Sequence, residues 1–454
     1  MREIIGIFSL LPVITWIFSR KKSRDIASPY NLFTFLYFFN IVIPIILYIN
    51  IDSKEFLSKI HIKNAVEDNE IYITYVILQT ISYYLVVFGM NLKIKSFNPK
   101  LMKNYKSFNY LKYKYTGIML WIIGVLSFFK IMSQVGGIKY FFTHLQFRTI
   151  LMRNIDFLSW ILPFLNYGVL LIVYSHKGNK KPITLKIFML AILSGLMSGL
   201  GGRKALIMLL IEVLLLSHYC VKSINVKKLL KLKYIFLIIC IYIFFILMVK
   251  FRVEGAVEEF LKNPFLFALN SNEGFLKTIK KESYVAYYMA LIKYFQTNSF
   301  WKGKTFLGLV TAIIPSSIFP NKPPVDDGTY LYSICLGRTD IMPPMPFNKL
   351  NGSSLPLETF GSMYCNFGVI GLFLGMTLLG IVYKYFYQKM KNSSYNFFYV
   401  IMYIQVIFTF HLSTLRVFQI FLIMIQLYII TFIVKKLKIK KGRNYEVFKK
   451  INLL

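Results

Sequence analysis

The chain has 454 residues, 56% of them hydrophobic and 17% aromatic, and only 16% are charged; the mean hydropathy is +0.56. A soluble domain carries about a quarter charged residues, whereas here apolar blocks of about 17–22 residues recur, the length that crosses ~30 Å of hydrocarbon, so the composition excludes a soluble globular class. The net charge of +35 suggests nucleic acid in a soluble chain, but its distribution along this one follows membrane topology, and no nucleic-acid partner is implied.

In chain order, eleven transmembrane helices are predicted, near 3–19, 30–49, 71–90, 116–131, 158–174, 184–202, 204–220, 234–250, 361–383, 396–413 and 417–434. The range is 10–12, in one all-α polytopic membrane domain over 1–454. The first apolar block is not a cleavable signal peptide, because its basic cluster SRKKSR at 19–24 follows it instead of preceding it. Alternate connections, SRKKSRD, NLKIKSFNPKLMKNYKSFNYLKYK, SHKGNKKP, VKSINVKKLLKLK, YQKMKNSS and the tail KKLKIKKGR, hold half of the lysine and arginine, and Asp25 and Glu446 are the acids on that side. This asymmetry predicts a cytoplasmic carboxyl terminus and an outward amino terminus.

The stretch SGLGGRKALIMLL at 198–210 sets two cations inside an apolar region, where each costs roughly 2.5–3.5 kcal/mol at the centre of an inserted helix. The basic connections before 184 and after 220 both read as cytoplasmic, so about 37 residues must cross outward and return. Gly201-Gly202 permits the tight turn this requires. Arg203 and Lys204 then lie at the outer mouth, where Lys204 snorkels to headgroups and Arg203 is a candidate site residue. Glu212, deep in the seventh span, is expected to face a partner within the bundle.

Residues 251–360 form an outward segment of about 110 residues, dense in proline and glycine turns yet apolar and aromatic. It is expected to fold as short helices and turns on the bundle's outer face. Six arginines read as outward-facing at membrane level: Arg148 and Arg153 in GGIKYFFTHLQFRTILMRN, Arg203, Arg252, Arg338 and Arg416. A guanidinium grips phosphate oxygens bidentately and keeps its charge, so arginine in place of lysine points to phosphate, with headgroup contact as the bland alternative. His144 and Arg148 share a face if the loop is helical, with Asp156 available to brace that helix. His411, before Arg416, is a candidate general base. Glu358 reads as a base, a ligand for sugar hydroxyls or a helix cap, and Asp326-Asp327 as a solvated turn or a sugar ligand. Gly371 and Gly375 predict close helix packing. Cys335 and Cys365 are not expected to form a disulfide. No P-loop, GxSxG, HExxH or clustered His/Asp signature is present, so no cofactor and no metal site are expected.

The loop GGIKYFFTHLQFR, the turn SGLGGRKALIMLL, and the run IIPSSIFPNKPP followed by NGSSLPLETFGSMYCNFGVIGLFLG resemble the Wzy-type O-antigen polymerases, the oligosaccharide repeat unit polymerases of bacterial surface polysaccharide assembly. The resemblance, with the span count and the long late outward loop, covers most of the chain. It implies a GT-C-like glycosyltransferase of the bacterial cytoplasmic membrane that joins undecaprenyl-diphosphate-linked oligosaccharides on the outer face without metal or nucleotide sugar. A chain-length regulator and a flippase are the partners it implies. On that reading Arg203, Arg148 and Arg153 hold diphosphates, Arg252 and Arg416 steer the second lipid carrier, Arg338 contributes to substrate binding, and His411 or Glu358 takes the acceptor proton. Two alternatives stand beside it, an O-antigen ligase and a lipid-linked oligosaccharide flippase. The second fits less well, because the chain shows no related halves.

Overall fold

The structure is a computed structural model that describes residues 1–19, 25–49, 60–93, 109–152, 156–177, 184–223, 255–264, 267, 283–314 and 318–437. Every regular element among them is helical. Among the described residues six helices are long and apolar enough to cross a membrane: Arg2–Ser19, Pro29–Leu47, Asn69–Asn91, Tyr110–Gln134, Thr359–Asn392 and Thr414–Lys436. The chain is therefore an α-helical membrane protein. The predicted spans 158–174, 184–202 and 396–413 correspond to shorter apolar helices, Leu158–Tyr174, Leu185–Gly199 and Phe397–Thr409. The predicted 204–220 span is the helix Arg203–Cys220, and the predicted 234–250 span lies outside the described residues. The long segment does contain short helices, including Val285–Thr297, Leu307–Thr311 and Gly328–Cys335.

The chain divides into two compact units. The first comprises Met1–Leu101, Glu273–Ser394 and Met402–Ile425, and the second comprises Met102–Asn272, Tyr395–Ile401 and Gln426–Leu454.

In the first unit, Asp68 caps the Asn69–Asn91 helix by accepting from the N–H groups of Glu70 and Ile71, which satisfies two of the donors a helix start leaves open. This helix packs against Thr359–Asn392 through bare backbone: a Cβ at Gly380 would overlap the Val86 carbonyl oxygen, and one at Gly89 would overlap that of Thr377. Without a hydrophobic drive between helices in lipid, such close approach is what holds them together. The Thr359–Asn392 helix is broken at Gly368 (φ 63°, ψ −146°), and the N–H groups of Trp301 and Lys302 donate to the carbonyls of Cys365 and Asn366 beside the break. Gly371 and Gly375 do allow close packing, but the side they accommodate is Met363 of the helix's own first half.

The Pro29–Tyr37 helix passes into a π turn, Phe38–Val42, and then into Ile43–Leu47. Pro44 has no N–H to return to Asn40, so the ladder widens there instead of continuing α. Tyr37, Val42 and Tyr83 form a buried cluster at this bend.

In the second unit, Tyr110–Gln134 and Phe164–Tyr174 pack with Gly117 and Gly168 facing each other's backbone. Trp121 Nε1 donates to Ser194 Oγ at 2.8 Å, which ties in Leu185–Gly199. The Tyr110–Gln134 helix stops at Gly136 and Gly137, both at positive φ. The chain then folds back so that Phe141 and Leu145 enter a core with Phe128, Ile131, Leu162 and Leu200. Glu212 is buried, as an intramembrane acid should be, and lies within electrostatic reach of Tyr167.

Candidate functional site

The expected tight turn between the sixth and seventh spans is present in the second unit. Leu200 (φ 44°) and Gly201 (φ 77°) adopt left-handed backbone, and the Gly202 N–H donates to Gly199 O at 2.7 Å. The next helix starts at Arg203. Arg203 is half-buried and Lys204 exposed.

Arg148 reaches this same turn. A Cβ at Gly202 would lie 2.9 Å from Arg148 Nη1, and one at Gly201 would lie 2.5 Å from Leu145 Cδ2. The burial of Phe141 and Leu145 anchors the surface loop, and the side-chain-free turn gives the guanidinium room beside the start of the Arg203–Cys220 helix. That start is electropositive in its own right, because its first N–H groups have no helical partner. Two arginines distant in sequence thus meet one helix N-terminus.

The expected shared helical face of His144 and Arg148 is corrected. The helix Ile138–Thr143 ends at His144 (φ −117°, ψ 35°), and a 3-10 turn, Leu145–Phe147, intervenes before Arg148–Leu151. The His144 ring stacks on Tyr140 with centroids 4.2 Å apart, and its Nδ1 lies 2.9 Å from Tyr140 O, a local bond that competes with the helical ladder. Arg153, Arg252 and the side chain of Asp156 lie outside the described residues.

In the first unit, Glu358 and His411 come together. Glu358 is the N-cap residue of Thr359–Asn392, but its side chain makes no cap hydrogen bond, so its carboxylate is not spent on the helix. The Glu358 N–H donates to the buried Tyr288 hydroxyl at 3.2 Å, and that hydroxyl donates to Pro356 O at 3.3 Å. His411 lies on the turn before the last helix, with its Nε2 3.9 Å from Glu358 Oε1. Both line a cavity with Phe33, Tyr37, Gln79, Ser82, Tyr83, Phe360 and Tyr383 among its walls.

A buried carboxyl holds the two elements in register. Asp327 is 1% exposed, not solvated as a turn residue would be. Its Oδ2 accepts from Ser362 Oγ at 3.2 Å and from the Thr414 N–H at 3.1 Å. The Leu412 N–H donates to Thr359 Oγ1 at 2.9 Å, and Thr414 Oγ1 donates to Val325 O at 2.6 Å. Residues directly following Glu358 are thereby tied to residues directly following His411. Burial pushes the Asp327 carboxyl from its ordinary 3.8 up to about 7, with Asp326 adding to the rise.

The sign of the consequence follows from linkage. The folded state holds this proton to higher pH than the unfolded state, so the stability it contributes is complete below about pH 4. That contribution is lost as pH rises through about 7. Asp327→Asn is expected to flatten this dependence, on the order of 1–4 kcal/mol across that window. Thermal unfolding in detergent at stepped pH measures it, and an unchanged slope in the variant refutes the assignment.

Arg338 and Arg416 lie in the first unit as well. Arg338 makes a bidentate pair with Asp340, Nε to Oδ1 at 3.0 Å and Nη2 to Oδ2 at 2.6 Å, and its Nη1 donates to Lys349 O. Those hydrogen bonds raise the guanidinium further and hold the Asp340 carboxyl below the usual range. The geometry commits Arg338 to fixing its own loop. Arg416, in the first turn of Thr414–Lys436, donates to Gln419 Oε1 at 2.6 Å. No disulfide joins Cys335 and Cys365.

Sequence reasoning missed Tyr37, Gln79, Ser82, Tyr288 and the burial of Asp327. For the first three a signal was present: polar groups inside predicted apolar spans, close to Pro44 in one case, where intramembrane polar residues mark function by default. No family model, no curated protein and no solved structure matches the chain.

Proposed function

We propose that the chain is a metal-independent glycosyltransferase that polymerises undecaprenyl-diphosphate-linked oligosaccharide repeat units into O-antigen or capsular polysaccharide, at the outer face of a bacterial cytoplasmic membrane. The observation that carries this reading is Glu358 facing His411 at 3.9 Å over an aromatic-walled cavity. That gap exceeds a direct hydrogen bond and suits a hydroxyl engaged by one group or both, and catalytic contacts commonly tighten only with substrate.

In the proposed reaction the acceptor sugar's hydroxyl oxygen attacks the anomeric carbon of the donor. The C–O bond to the diphosphate breaks, the electron pair leaves with the diphosphate, and the hydroxyl proton passes to the Glu358–His411 pair. Charge developing on the diphosphate needs fixed cations, the role that the sequence resemblance gives to Arg203 and Arg148, which meet at the glycine turn of the second unit. The helix N-terminus there adds its own partial positive charge. The predicted eleven spans, a GT-C-like bundle and an outward amino terminus belong to this proposal.

Deleting the gene and separating the surface glycan on a gel tests the reading. A lipid core capped by a single repeat unit supports it. Undecaprenyl-linked polymer that fails to reach the core points to a ligase, and loss of both products points to a flippase. Arg203→Lys provides a second check at constant charge. It is expected to lower polymer yield by roughly tenfold or more, since the bidentate fork is lost. A normal glycan ladder removes Arg203 from the site.

A further inference from the structure

We infer that the cavity beneath Glu358 and His411 is a pyranose-binding subsite, in which the hydroxyls of Tyr37 and Ser82 hydrogen-bond the acceptor sugar and decide which sugar is accepted. The inference rests on the glycosyltransferase reading for the identity of the ligand as an acceptor, and on the cavity's own chemistry for its being a sugar.

Tyr37 and Ser82 are 3% and 2% exposed. Both line the cavity, and neither the Tyr37 hydroxyl nor Ser82 Oγ makes a hydrogen bond of good geometry among the described residues, although Thr80 lies close to the Tyr37 hydroxyl. A buried hydroxyl without a partner costs roughly 1–3 kcal/mol, and native proteins rarely keep one without reason. Ser82 had a cheap remedy available: a serine in a helix normally turns its Oγ to the carbonyl one turn back, as Thr80 does with Val76 O. Gln79, one turn before Ser82, donates to Tyr75 at 3.4 Å and adds its amide to the same wall.

The remaining walls are largely apolar, with aromatic rings prominent among them. Phe33 and Tyr83 stack with centroids 5.5 Å apart and rings 17° from parallel, and Phe360 and Tyr383 complete the enclosure. An apolar tail needs no hydroxyls, and a phosphate calls for fixed cations, and this lining holds no lysine or arginine. A ligand with a hydroxylated edge and apolar C–H faces satisfies both kinds of wall at once. The π turn at Phe38–Val42 directly after Tyr37 is the kind of helix defect that recurs at functional sites.

The test uses the full chain in lipid nanodiscs, as wild type, Tyr37→Phe, Ser82→Ala and the double variant. The probes are the soluble methyl glycosides of glucose, galactose, mannose and N-acetylglucosamine, with binding read by saturation-transfer NMR. The wild type is expected to bind one or more of them, and each lost hydroxyl to weaken that binding about three- to tenfold. Thermal stability is expected to hold or rise, because an unsatisfied group has been removed. The inference is overturned if no glycoside binds, if the double variant binds as the wild type does, or if either variant loses stability as though a structural hydrogen bond had been cut. The two readings fail separately. Glycan ladders abolished by Glu358→Gln alongside unaffected glycoside binding in the double variant remove the subsite alone. Glycoside binding lost in the double variant alongside ladders that survive deletion of the gene keeps the sugar site and removes the polymerase.

Discussion

Glu358→Gln and His411→Asn are each expected to lower repeat-unit transfer by roughly 10²–10⁴-fold, the usual contribution of a positioned proton acceptor. Both substitutions keep the side-chain volume nearly constant and remove the ability to take a proton. Glu358 is the N-cap residue by its backbone alone, so the glutamine variant retains the helix start and the Tyr288 contact. The helix gives no reason for such a loss. On the proposed mechanism the two groups, 3.9 Å apart, act as a pair, and the double variant is expected to be little worse than the more damaging single one. The measurement is the glycan ladder in cells complemented with each variant, followed by turnover of purified protein on lipid-linked substrate. Full-length ladders from either single variant remove that residue from proton transfer.

Gly380→Ala is expected to destabilise the first unit by roughly 1–3 kcal/mol, and Gly89→Ala by a similar amount. At both positions the added carbon overlaps a carbonyl oxygen of the facing helix, and backbone cannot rotate away as a side chain can. The Asn69–Asn91 and Thr359–Asn392 helices would have to separate, and with them Gln79 and Ser82 would part from Met376 and Tyr383 across the cavity. Activity should therefore fall with stability in these variants. Gly352→Ala serves as the comparison, because a Cβ there meets nothing within 4 Å. Unfolding temperature in detergent and the amount of protein recovered from membranes report the effect. Equal values for Gly380→Ala and Gly352→Ala contradict close backbone packing as the cause.

The two parts of the proposed chemistry were legible to different degrees. His411 and Glu358 stood out in the sequence as a lone histidine and a carboxylate flanking predicted spans, and both sit where short-range signals place them, at a turn and at a helix start. Their facing each other did not follow from position, since 52 intervening residues include the broken helix at Gly368 and a full return pass. The glycine turn before Arg203 was readable because only a tight reversal fits two passes into so short a stretch. Arg148's arrival at that turn was not, and the helical face expected for His144 and Arg148 failed on a local competition that periodicity does not register, the histidine's contact with Tyr140.

From the sequence alone came the membrane class, the placement of most apolar helices, the glycine reversal and the short list of titratable candidates. Each of these depends on nearest neighbours, on apolar run length or on charge counted along the chain. The tertiary structure decided which candidates meet, that Asp327 is buried and holds two elements in register, and that hydroxyls from helices far apart in the chain share one cavity. Those outcomes depend on desolvation and on contacts across many residues, quantities fixed only once helices have packed, and a single residue's type carries no record of them.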